Sequence, residues 1–476
     1  MGKIWDLKKF KNNKAIHDGN GIDITYDDLM NTSNQMVSLT DRSLVFILCE
    51  NVAGSIAAYI STIEAGGVAL LLNAKLESEL RDNLIQTYKP SYIWVPIEKK
   101  EEYSKYNQVF ESYEYVLLKT DFKERYELNP NLCLLLTTSG STGSPKFVKQ
   151  SYQNVLSNAQ SIIDYLKLDQ TERPITTLPM NYTYGLSIIN SHLLVGASIL
   201  VTNKGLMQKE FWNFFKKAGA TSFGGVPYTY EMLDKLRFYR MDLPTLRYVT
   251  QAGGKLTVEL HKKFAEYARD NGKKFIVMYG QCEATARMGY LPPDKALDKI
   301  GSMGIAIPGG RLFITDVDGN EIEDADVTGE LVYEGPNVTM GYAERGEDLA
   351  KGDERNGILH TGDMAKRDKD GYYYIVGRKK RFLKIYGNRV NLDEIDRLIK
   401  GHFGNIECAS SGVDDHCFIF ITNENTNIKD DVNAFVSKTT GLNPKAFQTI
   451  VIDEIPKNDA GKTLYRELKK YYSDEV

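Results

Sequence analysis

The stretch TTSGSTGSPK (137–146) sets small hydroxyl side chains, two glycines and a closing lysine directly after the apolar run NLCLLL (131–136). Glycines let a backbone turn so that successive N–H groups converge on one concavity, which suits an anion. Ser139, Ser141 and Thr142 add hydroxyl donors and Lys146 adds a full charge. Together these groups have the chemistry to hold a polyphosphate. The pattern G-x-x-x-x-G-K-[ST] does not occur, so this is not a Walker loop. Taken alone, the stretch is equally compatible with a solvated Ser/Gly loop.

The elements around the loop alternate. SLVFIL (43–48) precedes a helical spacing from Val52 to Glu64. VALLL (68–72) precedes one from Leu76 to Tyr88, and SYIWVP (91–96) follows. SYQNVLSNAQSIIDYL (151–166) predicts a helix beyond the loop. RYVTQAGG (247–254) leads into the amphipathic LTVELHKKFAEYARDNG, and KKFIVMYG (273–280) is a further strand. Strands alternating with helices predict an α/β architecture with largely parallel sheets. After about Gly301 the texture becomes β-rich, with turns at DGN and KDG. The last ~95 residues are enough for a small α+β domain. The expected organisation is a large N-terminal domain over 1–378, a hinge at 379–380 and a small, mobile C-terminal domain over 381–476.

The chain has 476 residues, 42% hydrophobic and 26% charged, with a formal net charge of −4. That balance gives no bulk field toward nucleic acid or anionic lipid. Cys49, Cys133, Cys282, Cys408 and Cys417 are scattered and form no CxxC pair, which argues against a zinc ribbon or a disulfide framework. MGKIWDLKKF lacks the apolar core of a secretory signal. The most apolar long stretch, near 52–72, is interrupted by Glu64, Gly66 and Gly67, so no membrane span is expected. A cytoplasmic location follows as the expectation.

Further motifs lie in order along the chain: LPMNYTYGL (178–186), GGVP (224–227), QAGGKL (251–256), YGQCEAT (279–285), GELVYEGPNVTMGY (329–342), LHTGDMA (359–365), GRKKRFLKIYGNRVNLDEID (377–396) and PKNDAGKTLYREL (456–468). With TTSGSTGSPK, this set resembles the adenylate-forming superfamily of acyl-CoA synthetases, peptide-synthetase adenylation domains and luciferase. The resemblance implies that a carboxylate reacts with ATP to give an acyl-adenylate and pyrophosphate. The acyl group then passes to the thiol of coenzyme A or of the phosphopantetheine on a separate acyl carrier protein. A carboxylate must attack an anionic phosphate in that step, so positive charge has to stand where negative charge gathers.

On this resemblance Thr138, Ser139, Gly140, Ser141, Thr142, Gly143 and Lys146 form the phosphate loop. Lys462 reaches from the small domain to bridge the carboxylate and the α-phosphate, and it is grouped with Glu283 and Thr142 as catalytic. Glu283 holds Mg²⁺. Asp363 accepts both ribose hydroxyls, with Arg378 beside the same sugar. Gly254, Lys255 and Tyr279 flank the adenine, and Gly280 is a further nucleotide-binding residue. Cys282 stands where relatives carry a threonine, and a thiol is a weaker donor to phosphate. Lys380 falls at the hinge.

The substrate side is less determined. Tyr182, Thr183, Phe223, Gly225 and Met288 are candidate pocket residues, several equally explicable as core. Thr183 falls near the position where amino-acid-activating relatives have an aspartate for the ammonium. A threonine cannot supply that charge, which favours a plain, hydroxy or aromatic acid. Arg287 could pair with a second acidic group on the substrate. The basic residues Arg378, Lys379, Lys380, Arg381, Lys384 and Arg389 suit a coenzyme A or carrier surface, a solvated face or a nucleic-acid patch. Competing functions are an amino acid-activating ligase, an adenylate-forming enzyme with a non-thiol acceptor, and a nucleotide-binding protein without chemistry.

Overall fold

LVFILC (44–49) and VALLLN (68–73) are apolar at consecutive positions, so each strand needs cover on both faces. The computed structural model supplies it; it describes residues 3–137, 146–386, 388–404, 406–422, 428–457 and 463–472. Val45, Ile47, Ala69 and Leu71 pack with Ile56 and Ile60 of the helix Ala53–Glu64. Leu44, Phe46, Leu48, Leu70 and Leu72 face the other way, toward Leu84, Ile85 and Tyr88 of the helix Ser78–Tyr88. The period-two alternation of a strand thus divides one continuous apolar run between two cores.

The chain separates into two compact units, residues 1–312 with 333–359 and residues 313–332 with 360–476. In the first unit Leu44–Cys49, Val68–Asn73, Tyr92–Pro96 and Leu132–Thr137 pair in parallel. Both flanks of that sheet turn antiparallel. Tyr115–Lys119 and Asn107–Ser112 extend one side, and Phe147–Ser151 and Tyr342–Ala343 extend the other. A second sheet runs Ser222–Gly225, Tyr248–Gln251 and Lys274–Tyr279 in parallel, then Gly289–Tyr290 and Ile305–Ala306 antiparallel. The class is mixed α/β.

The loop of the opening motif does not lead straight into a helix. Thr137 pairs with Phe147, so residues 138–145 connect two antiparallel neighbours. The strand Phe147–Ser151 is buried along its whole length, and only after it does the helix Tyr152–Leu166 begin. Ser151 caps that helix reciprocally with Asn154. Five strand residues, roughly 16 Å, therefore separate the helix N-terminus from the loop. The sequence FVKQS hides this strand because Lys149 and Gln150 look solvent-facing. Lys149 is instead fully buried, and its ammonium meets Glu354 at 3.1 Å and the Asp348 and Lys351 carbonyls at 3.4 Å. Thr138 through Gly143 and Lys462 lie outside the described residues, as does the side chain of Lys380.

The second unit contains residues 313–315, 329–332, 360–367 and 373–378 of a four-stranded sheet, adjacent in that order, with Ile358–Arg367 and Tyr373–Arg378 antiparallel. Its C-terminal part is a sheet of Glu407–Val413, His416–Thr422 and Phe447–Val451 packed with the helices Leu392–Phe403 and Ile428–Thr440. Arg381 ties these pieces together. It donates to Asp393 at 2.6 Å, to Asp396 at 2.8 Å and to the Ser410 carbonyl at 2.6 Å, and lies 3.8 Å from the Tyr465 ring centroid. Burial favours the neutral form of the Asp396 carboxyl, and the Arg381 charge opposes that shift. Arg381→Ala leaves both carboxylates without their cation and is expected to destabilise this unit by about 3–5 kcal/mol. Chemical denaturation followed by hydrogen exchange over 392–422 checks this; unchanged protection there would contradict it.

Candidate active site

Glu283 sits in a short turn, Cys282–Ala284, directly after the strand Lys274–Tyr279. Two neighbours fix its backbone. Its carbonyl accepts from the Thr339 N–H at 3.0 Å and hydroxyl at 2.9 Å, and from Arg355 Nη1 at 3.0 Å. Its carboxylate accepts from the Tyr342 hydroxyl at 2.7 Å, and the second oxygen makes no hydrogen bond among the described residues. The Tyr342 ring in turn carries two cations, Lys146 Nζ at 3.7 Å and the Arg355 guanidinium at 4.5 Å from its centroid. Burial and the Glu283 charge raise the Tyr342 phenol well above its ordinary value, so it stays a donor.

This cluster stands at the strands that bracket the glycine–serine loop. Lys146 precedes Phe147–Ser151, and Tyr342 pairs with Val148. Cys282 lies on the other side of the hairpin, its thiol donating to the Thr137 carbonyl at 3.8 Å. One carboxylate and two cations thus surround the loop's two ends. Among the described residues no group of three or more His, Cys, Asp or Glu side chains is placed to hold a metal ion by itself. A single free carboxylate oxygen still fits Mg²⁺, which takes one or two protein carboxylates and completes its shell with phosphate oxygens and water.

The segment after Glu283 is unusual. Thr285 has φ 65° and ψ −58°, and Ala286 N–H donates to the Ala284 carbonyl at 2.7 Å. That is the rare γ-turn in which the central residue has positive φ, a strained conformation for a β-branched residue. Asn337 holds it there. Its amide donates to the carbonyls of Ala284 at 2.9 Å and Arg287 at 3.0 Å, while its oxygen accepts from Tyr333 at 2.7 Å. Asn158 adds a bond to the Arg287 carbonyl at 2.8 Å. Gly280 is required by the same fold-back, since a Cβ there would stand 1.6 Å from the Ala286 carbonyl oxygen.

The remaining expected residues fall as follows. Tyr279 closes its strand half-buried, with its hydroxyl accepting from Gln281 at 3.2 Å. Gly254 and Lys255 are exposed, and the Gly254 carbonyl accepts from Gln251 at 2.7 Å. Tyr182 is half-buried with its hydroxyl beside Gly253, and Thr183 donates to the Thr285 carbonyl. Gly225 ends a buried strand where a Cβ would meet Thr229 at 2.7 Å. Phe223 packs against Phe238 and Phe215 with ring centroids 5.9 and 6.4 Å away, and Met288 is fully buried. In the second unit Asp363 is buried and meets Arg378 at 3.4 Å, the two residues pairing across adjacent strands. Lys379 pairs with Glu330 at 2.8 Å, so with Arg378 and Arg381 three of the six basic residues near the expected hinge already face acids.

Tyr342, Arg355 and Asn337 were not singled out from the sequence. Tyr342 and Asn337 belong to the quoted motif 329–342, which gave a signal without a role; Arg355 gave none. Tyr342→Phe removes a hydrogen bond to a charged acceptor, worth about 1.5–3 kcal/mol. It is expected to slow adenylate formation roughly tenfold, the kinetic equivalent of 1.4 kcal/mol. Equal rates and equal thermal unfolding in the two proteins would show the bond to be dispensable.

The AMP-binding enzyme family model matches residues 5–343. The oxalate–CoA ligase of Arabidopsis thaliana is 28% identical over 354 residues, 72% of this chain and 68% of the relative. The 2-succinylbenzoate–CoA ligase of Oceanobacillus iheyensis is 26% identical over 497 residues, 99% of this chain and 98% of the relative. Among solved structures, the O-succinylbenzoate coenzyme A synthetase of Bacillus subtilis in complex with AMP matches with a TM-score of 0.79 at 21% identity, covering 98% of each chain. The same enzyme with ATP and magnesium ion matches with a TM-score of 0.79 at 21% identity, covering 97% of this chain and 98% of that one. These structural likenesses bear on the fold, including the large N-terminal and small C-terminal domain architecture. With the family model matching residues 5–343, most of its length, the chain belongs to the AMP-binding enzyme family.

Proposed function

We propose that this protein activates a carboxylic acid with ATP as an acyl-adenylate and transfers the acyl group to the thiol of coenzyme A. The chain is an acid–thiol ligase by its family and by its named relatives. The observation that carries the chemistry is the cluster around Tyr342, where the Glu283 carboxylate and the cations Lys146 and Arg355 stand at the two ends of the glycine–serine loop. Negative charge accumulates on phosphate oxygens as the carboxylate attacks, and cations fixed beforehand stabilise it without reorganising. Mg²⁺ bound at Glu283 would neutralise and orient the phosphates.

The sequence correspondence supports the remaining roles. Thr138, Ser139, Gly140, Ser141, Thr142 and Gly143 cradle the phosphates. Asp363 holds the ribose hydroxyls, with Arg378 beside them. Gly254, Lys255 and Tyr279 border the adenine, Gly280 also binds the nucleotide, and Lys462 supplies the cation at the reacting carboxylate. Residues 379–380 form the hinge between a domain over 1–378 and one over 381–476. Lys380 there would let the small domain withdraw Lys462 and admit the thiol. A separate phosphopantetheinyl carrier protein is the other acceptor of the same chemistry. No helix among the described residues is long and apolar enough to cross a membrane. All five cysteines are buried free thiols, which fits a cytoplasmic enzyme.

An α-amino acid is disfavoured as substrate. The Thr183 hydroxyl is already committed to the Thr285 carbonyl, and the nearby buried charge is the cation Arg287. ATP–pyrophosphate exchange across small acids, hydroxy acids, amino acids and fatty acids tests the assignment, followed by thioester assays with coenzyme A and with a loaded carrier. Exchange with some acid and thiol-dependent AMP release are expected. Exchange without thiol transfer would point to an oxygen or nitrogen acceptor, and silence throughout would favour a nucleotide-binding protein without chemistry. Lys462→Ala is expected to lower adenylation by roughly 10²–10³-fold while still transferring a supplied acyl-adenylate. Equal loss of both steps in a folded protein would contradict the two-arrangement mechanism.

A further inference from the structure

Arg287 carries a full positive charge into the interior of the first unit, where it is 2% exposed. Its Nε donates to the Ser187 hydroxyl at 3.1 Å and its Nη1 to the Tyr165 hydroxyl at 3.0 Å. The guanidinium lies 4.5 Å from the Tyr184 ring centroid. Each of these partners is neutral. Its Nη2 donates to no described residue, and no carboxylate among the described residues forms an ion pair with it. Burying a charge without a counter-ion costs several kcal/mol, and proteins ordinarily avoid it by pairing. The guanidinium therefore sits in a site that an anion would complete.

The surroundings point the same way. Arg287 lines a small cavity with Ser191, His192, Ser222, Tyr248 and Thr250. His192 donates from Nδ1 to the Ile188 carbonyl at 2.8 Å and accepts at Nε2 from the Tyr248 hydroxyl at 2.9 Å. Burial pushes its imidazole down to about 4, with the Arg287 charge acting in the same direction. The histidine is thus neutral, and it leaves Arg287 as the charge of the cavity. Phe223 and Ile188 form part of an apolar wall. The Arg287 backbone carbonyl is clamped by Asn158 and Asn337, so the side chain is anchored four residues from Glu283.

We infer that Arg287 is a specificity-determining residue that receives a second anionic group of the substrate, so that the enzyme activates dicarboxylic acids. One carboxylate is adenylated; the other meets the free Nη2 edge of the guanidinium, a geometry suited to carboxylate. This rests on the adenylation chemistry proposed above. A monocarboxylic acid of the same length leaves the buried charge uncompensated and is rejected. A substrate ammonium is repelled.

Pyrophosphate exchange with isosteric pairs tests it: malonate against propionate, succinate against butyrate, and phthalate against benzoate. The wild-type enzyme is expected to favour one or more diacids by on the order of 100-fold or more in kcat/KM. Arg287→Gln is expected to erase that preference, mainly through KM for the acid, with KM for ATP unchanged. Equal or better use of monoacids by the wild type would overturn the inference while leaving the adenylation chemistry intact, and it needs no variant. A folded Arg287→Gln that loses mono- and diacids alike would assign the arginine a purely structural role and overturn it as well. Silence with every acid would remove the adenylation reading and this inference together.

Discussion

The fold-back of residues 280–287 is the constraint on which the site depends. A threonine at φ 65°, ψ −58° costs on the order of 1–3 kcal/mol relative to an ordinary backbone, and the loop closes by a hydrogen bond spanning three residues. Isolated, this segment would relax. Asn337 prevents that by donating to two of its carbonyls from a position fifty or more residues later in the chain. The result is that Glu283 and Arg287, four residues apart in sequence, are each held with their backbones immobilised.

Around that anchor the site gathers opposite charges without letting them cancel. Tyr342 is the mediator. Its hydroxyl engages the carboxylate while its face engages Lys146 and Arg355, so the cations approach the Glu283 carboxylate through the ring instead of pairing with it, although Arg355 bonds the Glu283 backbone carbonyl. Cation–π contacts of this kind are worth about 0.5–2 kcal/mol, weaker than a desolvated salt bridge. A phosphate or a metal ion can compete for the partners. Direct Lys–Glu and Arg–Glu pairs in the same place would neutralise these groups instead.

The hairpin around the glycine–serine loop contributes differently. Because Thr137 and Phe147 are direct partners, the loop's two ends are fixed a strand spacing apart. The next helix, Tyr152–Leu166, starts only after the buried strand Phe147–Ser151, so its N-terminus does not directly follow the loop. Cys282 tucks under one end at Thr137. A thiol there both packs and donates weakly, which a hydroxyl aimed at a ligand would not do in the same way.

Much of this was legible in the order of residues. Apolar runs such as LVFILC and VALLLN announced buried strands because period-two burial on both faces leaves no polar position. The loop, the glutamate motif and HTGD announced the family, because they stand with the other motifs in the order that its members share. What the sequence could not determine was which polar side chains are buried. Lys149 and Gln150 concealed a strand, nothing marked Arg287 as buried, and Arg355 gave no signal. Only the tertiary structure decided these. Burial and charge pairing are properties of segments far apart in the chain: local spacing fixes what a residue can do, while the fold fixes whether water or a partner is there to meet it.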